Sequence, residues 1–320
     1  MTNRQIVLRF LRAISAQDTA VLRSVLMPQA RLSFMIAGVY SPQLQAFQQG
    51  TQWSRDEMIK REIDFQQRLD GAFTLQILSL ITEGDAVAAE VVGRGRRAAT
   101  GRDYIQHYSY HFQLSNGRIS DIRLYQDTFH LWDVWSDLGG VAQPPYLTAG
   151  RVAGAGGEQT DALMTEITGL ERVAANKESV RRFLMAVRNR DPHVTRAAWS
   201  PEGIWSFAVG GNYVPHLRAF QGGPRWDREA MIEMQQSAQH NLREPLTLDI
   251  YSVIGEGDEV GAEAVGFLVR ADGRAYRQHY SLHFKTRNGK LIEGHVYQDT
   301  LHQYDLALDR PDCAPVAAPM

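Results

Sequence analysis

Apolar and polar positions alternate along this chain with two different periods, and the switch between them sets the order of its elements. Ile6, Val7, Phe10, Leu11 and Ile14 fall on one face of a helix over residues 3–16. Asp18 then stands where an N-cap belongs, ahead of a short helix carrying Val21, Leu22 and Val25. Ala30–Ala37 reads as a strand, and Gly38–Trp53, which has no clear period, as a long loop. Ser54-Arg55-Asp56-Glu57 has capping-box spacing and opens a third helix through about Leu69. Period-two patterning follows: Phe73–Thr82, a Glu-Gly-Asp turn, Ala86–Gly93, and a hairpin over Gln106–Thr128 that turns at Asn116-Gly117. Helices first and then a curved antiparallel meander make this an α+β chain.

The pattern occurs twice. Gln106–Thr128 (QHYSYHFQLSNGRISDIRLYQDT) and Gln278–Thr300 (QHYSLHFKTRNGKLIEGHVYQDT) are identical at 12 of 23 positions. The duplication reaches back to Asn3 and Asn176, an offset of 176 − 3 = 173. Gly38, Tyr40, Pro42, Phe47, Gly50 and Trp53 return at that offset, and Asp191-Pro192 repeats the cap at Asp18 with a proline well placed at the first helical position. The hairpins stand 278 − 106 = 172 apart, so the second copy drops one residue between Val92 and Tyr104. The predicted domains are 1–137 and 174–309, joined by a linker over 138–173 and followed by a loose tail over 310–320. The linker is rich in Gly, Pro and Ala over Leu138–Gly157, and Thr160–Ala175 reads as a helix leading into the second domain.

Composition narrows the function classes. The 320 residues are 44% apolar and 22% charged, as expected for two modest globular cores. A formal charge of −2 offers no electrostatic footprint for nucleic acid, and no apolar run approaches a membrane span, so neither partner is expected. The one cysteine, Cys313, permits no internal disulfide and no thiolate cluster, and the cytoplasm is the default location.

The opening helix with its Asp18 or Asp191 stop, the Gly-Arg-x-Tyr strand start at Gly101–Tyr104 and Gly273–Tyr276, the Asn-Gly hairpin and the closing Tyr-Gln-Asp-Thr together resemble the nuclear-transport-factor-2-like superfamily, in its SnoaL-like branch. The resemblance covers residues 3–135 and 176–308. It implies two tandem cone-like domains, each with three helices packed on a curved antiparallel sheet around an apolar pocket, paired through their sheets as a pseudo-dimer. It also implies chemistry without cofactor or metal on a small apolar ligand, of cyclase, dehydratase or isomerase type. A non-catalytic binding or assembly module on the same fold is the alternative. The ketosteroid isomerase variant needs a tyrosine where Phe10 and Phe183 stand, and a carboxylate near Ser33-Phe34 or Ser206-Phe207. Both are absent.

The candidate catalytic residues are the matched polar positions Asp127, His107 and Tyr125 with Asp299, His279 and Tyr297. Relatives of this type place an acid–base carboxylate near the end of the sheet that Asp127 and Asp299 close. The same aspartates also suit N-caps for the segments that follow. His107, Ser109 and His111 share one strand face, as do His279, Ser281 and His283, and Tyr108, Tyr110 and Phe112 take the other. Either the histidines look into the pocket as proton shuttles, or their face is the contact between halves and the tyrosines line the pocket. His130 and His302 read as surface or interface residues. Tyr40, Trp53 and Tyr108, with Tyr213, Trp226 and Tyr280, are the candidate ligand-binding aromatics. Arg94 and Arg96 are replaced in the second copy by Phe267 and Val269, a difference between the halves.

Overall fold

The computed structural model describes residues 1–36, 51–135, 162–208, 225–237, 242–300 and 302–303. Its first half runs α1 (Asn3–Ala16), α2 (Thr19–Val25), β1 (Leu26–Phe34), β2 (Gln52–Ser54), α3 (Arg55–Gln66), β3 (Thr74–Glu83), β4 (Ala86–Arg96), β5 (Asp103–Ser115), β6 (Arg118–Gln126) and α4 (Thr128–Trp135). The second half repeats it as α5 (Ala162–Asn189), α6 (Pro192–Ala198), β7 (Trp199–Phe207), β8 (Arg225–Asp227), α7 (Arg228–Ser237), β9 (Leu242–Glu256), β10 (Glu259–Arg270), β11 (Ala275–Arg287) and β12 (Lys290–Gln298).

Local chemistry sets most boundaries. Asp18 caps α2 by accepting from the Val21 N–H at 2.9 Å, and Asp191 caps α6 with Pro192 in its first turn. Ser54 and Glu57 close a full capping box on α3. Asn116 and Gly117 both have positive φ, 51° and 68°, as a primed hairpin turn requires, and Asn288-Gly289 repeats this at 52° and 71°. The missing residue of the second copy falls in the β4–β5 turn, where Asp272-Gly273 makes a tighter reversal than 98–101.

Two features differ from the sequence reading. The sheets are mixed, not wholly antiparallel: in the order β2-β1-β6-β5-β4-β3, β1 runs parallel to β6, and β7 to β12. The chain leaves β1, crosses through α3 to the far edge of the sheet, and returns by a four-strand meander whose last strand lies beside the first. The second difference is one of continuity: the helix read over Thr160–Ala175 does not end before the second repeat but runs unbroken into its opening helix as α5.

In each half the helices cover one face of the sheet. Phe10 of α1 meets Phe112 of β5 edge-on at 5.5 Å, and Phe183 of α5 meets Phe284 of β11 at 5.8 Å. The opposite faces of the two sheets pack on each other, with Ile81, Ala88 and Ile254 as a small apolar cluster between them. The contact is isologous: Arg4 meets Glu256 at 3.0 Å, and Lys177, the repeat of Arg4, meets Glu83, the repeat of Glu256.

Candidate functional site

Strand parity decides which side chains reach the ligand side of each sheet. On β5, Tyr104, Tyr108, Tyr110 and Phe112 point toward the helices, while His107, Ser109 and His111 point toward the other half. On β6, Gln126 points toward the helices. Tyr125, one residue away, points toward the other half.

The face turned to the other half is a dense polar contact. Ser109 and Ser281 bond to each other at 2.8 Å, and each also bonds the Nε2 of the opposite half's histidine, His283 or His111, at 2.8 Å. Beside this ring lie two fully buried carboxylates. Glu263 accepts from Arg123 at 2.7 and 2.8 Å and from the Tyr125 hydroxyl at 2.8 Å. Glu90 accepts from His295, the repeat of Arg123, at 2.8 Å and from Tyr297 at 2.9 Å. Burial works against the Glu90 charge, but His283 and His295 bring the carboxyl down to about 2. Burial likewise works against the His295 cation, and the facing Glu90, with Glu293, still lifts it to about 10.

The predicted catalytic residues are placed on this side. Asp127 is buried, caps α4 through the His130 N–H at 3.1 Å, and accepts from Thr300 of the other half at 2.5 Å. Asp299 repeats this with His302 and Thr128. Tyr125 bonds Glu263 and Tyr251, and Tyr297 bonds Glu90. His107 and His279 are half-buried; desolvation brings both down to about 4, leaving neutral imidazoles at pH 7. None of these six residues lines the cavity described next, because the parity that points them at the contact points them away from it. His130 stacks on Tyr104 at 5.5 Å and His302 on Tyr276 at 4.8 Å, so both are buried rather than exposed.

The cavity lies in the first half, between the sheet and its helices, with a volume of about 390 Å³. Its walls are apolar: Phe10, Ile14 and Leu22 from the first two helices, Leu32, Phe34 and Trp53 from β1 and β2, Met58, Ile59 and Phe65 from α3, then Phe73, Leu124 and Leu131. Of the predicted binding aromatics Trp53 and Tyr108 line it, Trp226 and Tyr280 belong to the core of the second half, and Tyr40 and Tyr213 lie outside the described residues. Phe10 and Phe34 stand in its wall, where the isomerase pattern would require polar groups.

Polar side chains also line this cavity, among them three phenols, Gln126 and Glu62. Tyr104 and Tyr108 bond hydroxyl to hydroxyl at 3.0 Å, with Tyr110 next to them on the same face. Glu62, half-buried on α3, lines the same cavity as the three phenols, and its carboxylate accepts from Gln66 at 3.0 Å. Gln66 is itself anchored to the Ile14 carbonyl at 2.7 Å. Burial pushes the Glu62 carboxyl up to about 7, the Gln66 hydrogen bond offsetting part of the shift, and burial also raises all three phenols. The mouth carries charge from Glu57, Lys60, Arg61, Asp64 and Arg68.

Glu62 and Gln126 were missing from the sequence candidates. The signal for Glu62 was its position: Met58, Ile59, Glu62, Phe65 and Gln66 make one helical stripe, and a carboxylate within such a stripe faces the interior. Comparing the halves would have strengthened it, because Gln235 replaces Glu62 and Leu282 replaces Tyr110. In the second half Trp205 takes the place of Leu32 and Trp199 that of Leu26. Their rings pack with Phe183 and Phe284 at 5.4–6.4 Å. Gly203 and Gly294, where the first half has Ala30 and Ile122, make room: a Cβ at either would come within 2.8 Å of a tryptophan ring.

Among the described residues no three His, Cys, Asp or Glu side chains are grouped as a metal site needs, and no helix is long and apolar enough to cross a membrane.

No family model and no curated protein matches the chain. Solved structures do. IdmH from Streptomyces antibioticus, a proposed polyketide cyclase, is 19% identical, with 41% of this chain and 95% of that one covered at a TM-score of 0.35. An NTF2-like protein of unknown function from Burkholderia pseudomallei K96243 is 17% identical, with 42% and 97% covered and a TM-score of 0.37. An LEH-like epoxide hydrolase from M. tuberculosis is 15% identical, with 42% and 91% covered and a TM-score of 0.34. The likeness is one of fold.

Proposed function

We propose that the first half of the chain is a cofactor-independent acid–base enzyme of isomerase, dehydratase or cyclase type, acting on a small, largely apolar carbonyl compound. The observation that carries the reading is the placement of Glu62: a carboxyl on the wall of the cavity that Tyr104, Tyr108 and Tyr110 also line, with burial pushing it up to about 7. The general base is then Glu62, and Asp127, His107 and Tyr125 serve the contact between halves.

In this scheme the Glu62 carboxylate takes a proton from the carbon beside the ligand's carbonyl. The C–H electron pair moves to the carbonyl oxygen, giving an enolate. The hydroxyl pair Tyr104–Tyr108 has one proton to spare beyond its mutual bond and donates it as a hydrogen bond to that oxygen. Glu62, now protonated, returns the proton to a second carbon for isomerisation or to a leaving hydroxyl for dehydration; in a cyclisation the enolate carbon attacks a second carbonyl carbon, whose π electrons move to its oxygen, and Glu62 gives its proton to the alkoxide so formed. A base with its pKa near the working pH is suited to both halves of such a transfer.

The test is deuterium exchange into an enolisable ketone, for example methyl naphthyl ketone, followed by NMR in heavy water. The intact chain accelerates exchange over buffer, and Glu62→Gln lowers the enzyme-dependent rate by about 100-fold or more. Binding without any acceleration by the wild-type chain would overturn the enzymatic reading and leave a binding module.

A further inference from the structure

Gln126 carries a polar group that the described residues leave unused. It is 5% exposed and lines the first-half cavity, and its amide nitrogen has no hydrogen-bond partner among the described residues. A buried donor without an acceptor is uncommon in a native interior and calls for an explanation.

The second half supplies a comparison. Gln298, the repeat of Gln126, donates from the same nitrogen to the side-chain oxygen of Gln303, in the helical turn after β12. The residue at that place in the first half is Leu131, since 131 + 172 = 303, and Leu131 lines the cavity. One difference between the repeats, glutamine against leucine, satisfies the amide in one half and leaves it facing an apolar space in the other. In the second half the tryptophan cluster occupies the matching part of the core, and the Gln298 amide is spent on Gln303. Register adds a further point: Gln126 and Tyr108 are direct partners across β5 and β6. Side chains so paired stand side by side on one face, about 5 Å apart at Cβ.

We infer that Gln126 is the residue that reads the ligand, its amide N–H donating to an acceptor oxygen of an otherwise apolar compound held in the first-half cavity. With the neighbouring Tyr104–Tyr108 pair it makes a two-donor site for one carbonyl or enolate oxygen. This deepens the proposed function and rests on the same cavity being the ligand site. It makes Gln126 and Leu131 the determinants of oxygen recognition and assigns one such site to each chain.

The experiment compares two probes of equal shape, methyl naphthyl ketone and the olefin isopropenylnaphthalene, which differ by C=O against C=CH2. Their affinities for the full chain are measured by ligand-observed NMR titration. Wild type favours the ketone by about 5- to 20-fold. In Gln126→Met, which keeps the volume, the ratio falls to about 2 or 3. Leu131→Gln, which gives Gln126 the internal acceptor present in the second half, lowers the ratio in the same way without touching the donor. An unchanged ratio in either folded variant, or a wild type that binds neither probe in the cavity, overturns the inference. The outcome is separable from the acid–base reading: deuterium exchange that persists with an unchanged ratio sinks Gln126 alone, and a ratio that responds while Glu62→Gln leaves exchange untouched sinks the general base alone.

Discussion

Replacing Glu62 by glutamine should make the protein more stable at alkaline pH. The carboxyl has an ordinary value of 4.5 and sits at about 7 in the fold, a difference of about 2.5 units. At about 1.36 kcal/mol per unit the ionised carboxylate costs the native state about 3 kcal/mol, and water in the open cavity brings this toward about 2. The sign follows from linkage. Below the unfolded value the group is protonated in both states and contributes nothing. As pH rises from 4.5 to 7 the unfolded chain releases its proton first, so stability falls, and above 7 the loss is complete. Glutamine keeps the shape and can still accept from Gln66, but it does not titrate. Guanidinium unfolding of wild type and Glu62→Gln at pH 5 and pH 8 reads the effect. The variant is expected to gain about 2–3 kcal/mol at pH 8 and under about 1 at pH 5. A variant less stable than wild type at pH 8, or a difference independent of pH, would refute the buried-carboxyl argument. A stabilising change that abolishes turnover is the behaviour expected of a residue kept for function.

The contact between halves yields further expectations. Arg123→Ala strands Glu263, which is fully buried, and should cost about 2–4 kcal/mol by equilibrium unfolding, whereas Arg123→Met combined with Glu263→Gln should cost less than the single change. His295 sits at about 10 against an ordinary 6.5, so its contribution is complete below pH 6.5 and fades as pH rises through 10. Thermal melts at pH 7 and pH 10 should show that loss in wild type and a smaller one in His295→Arg. Asp127→Ala removes a helix cap and the bond from Thr300, lowering stability by about 1–2 kcal/mol while ketone binding in the cavity is retained. Trp205→Leu should destabilise the second half by about 2–4 kcal/mol, read by the same unfolding assay, because its neighbours Phe183 and Trp199 cannot collapse into the space.

Much of the fold could be read from local chemistry. The caps at Asp18, Asp191 and Ser54, the turns at Asn116-Gly117 and Asn288-Gly289, and the duplication itself depend on residues near in sequence. The parallel pairing of β1 with β6 does not: it arises from a crossover through α3, and neither strand carries a mark of its distant partner. Strand parity was legible, since it placed His107, Ser109 and His111 on one face and Tyr108, Tyr110 and Phe112 on the other. Which face meets the other half was not legible, because a polar contact satisfied across a pseudo-two-fold axis and a polar active site draw on the same residue types. Retention in both repeats pointed toward Asp127, His107 and Tyr125, and it did so because an isologous contact constrains both copies at once. The cavity wall mixes retained residues, such as Phe10, Tyr108 and Gln126, with positions that differ between the repeats: Glu62 against Gln235, Tyr110 against Leu282, Leu131 against Gln303.

The placement of the site is tested most directly by a crystal structure of the chain with methyl naphthyl ketone. The account predicts the ligand in the first-half cavity, its carbonyl oxygen within hydrogen-bond distance of Gln126 and the Tyr104–Tyr108 pair, and its methyl carbon beside Glu62. A ligand found between the two sheets, against Asp127 or His107, would contradict it.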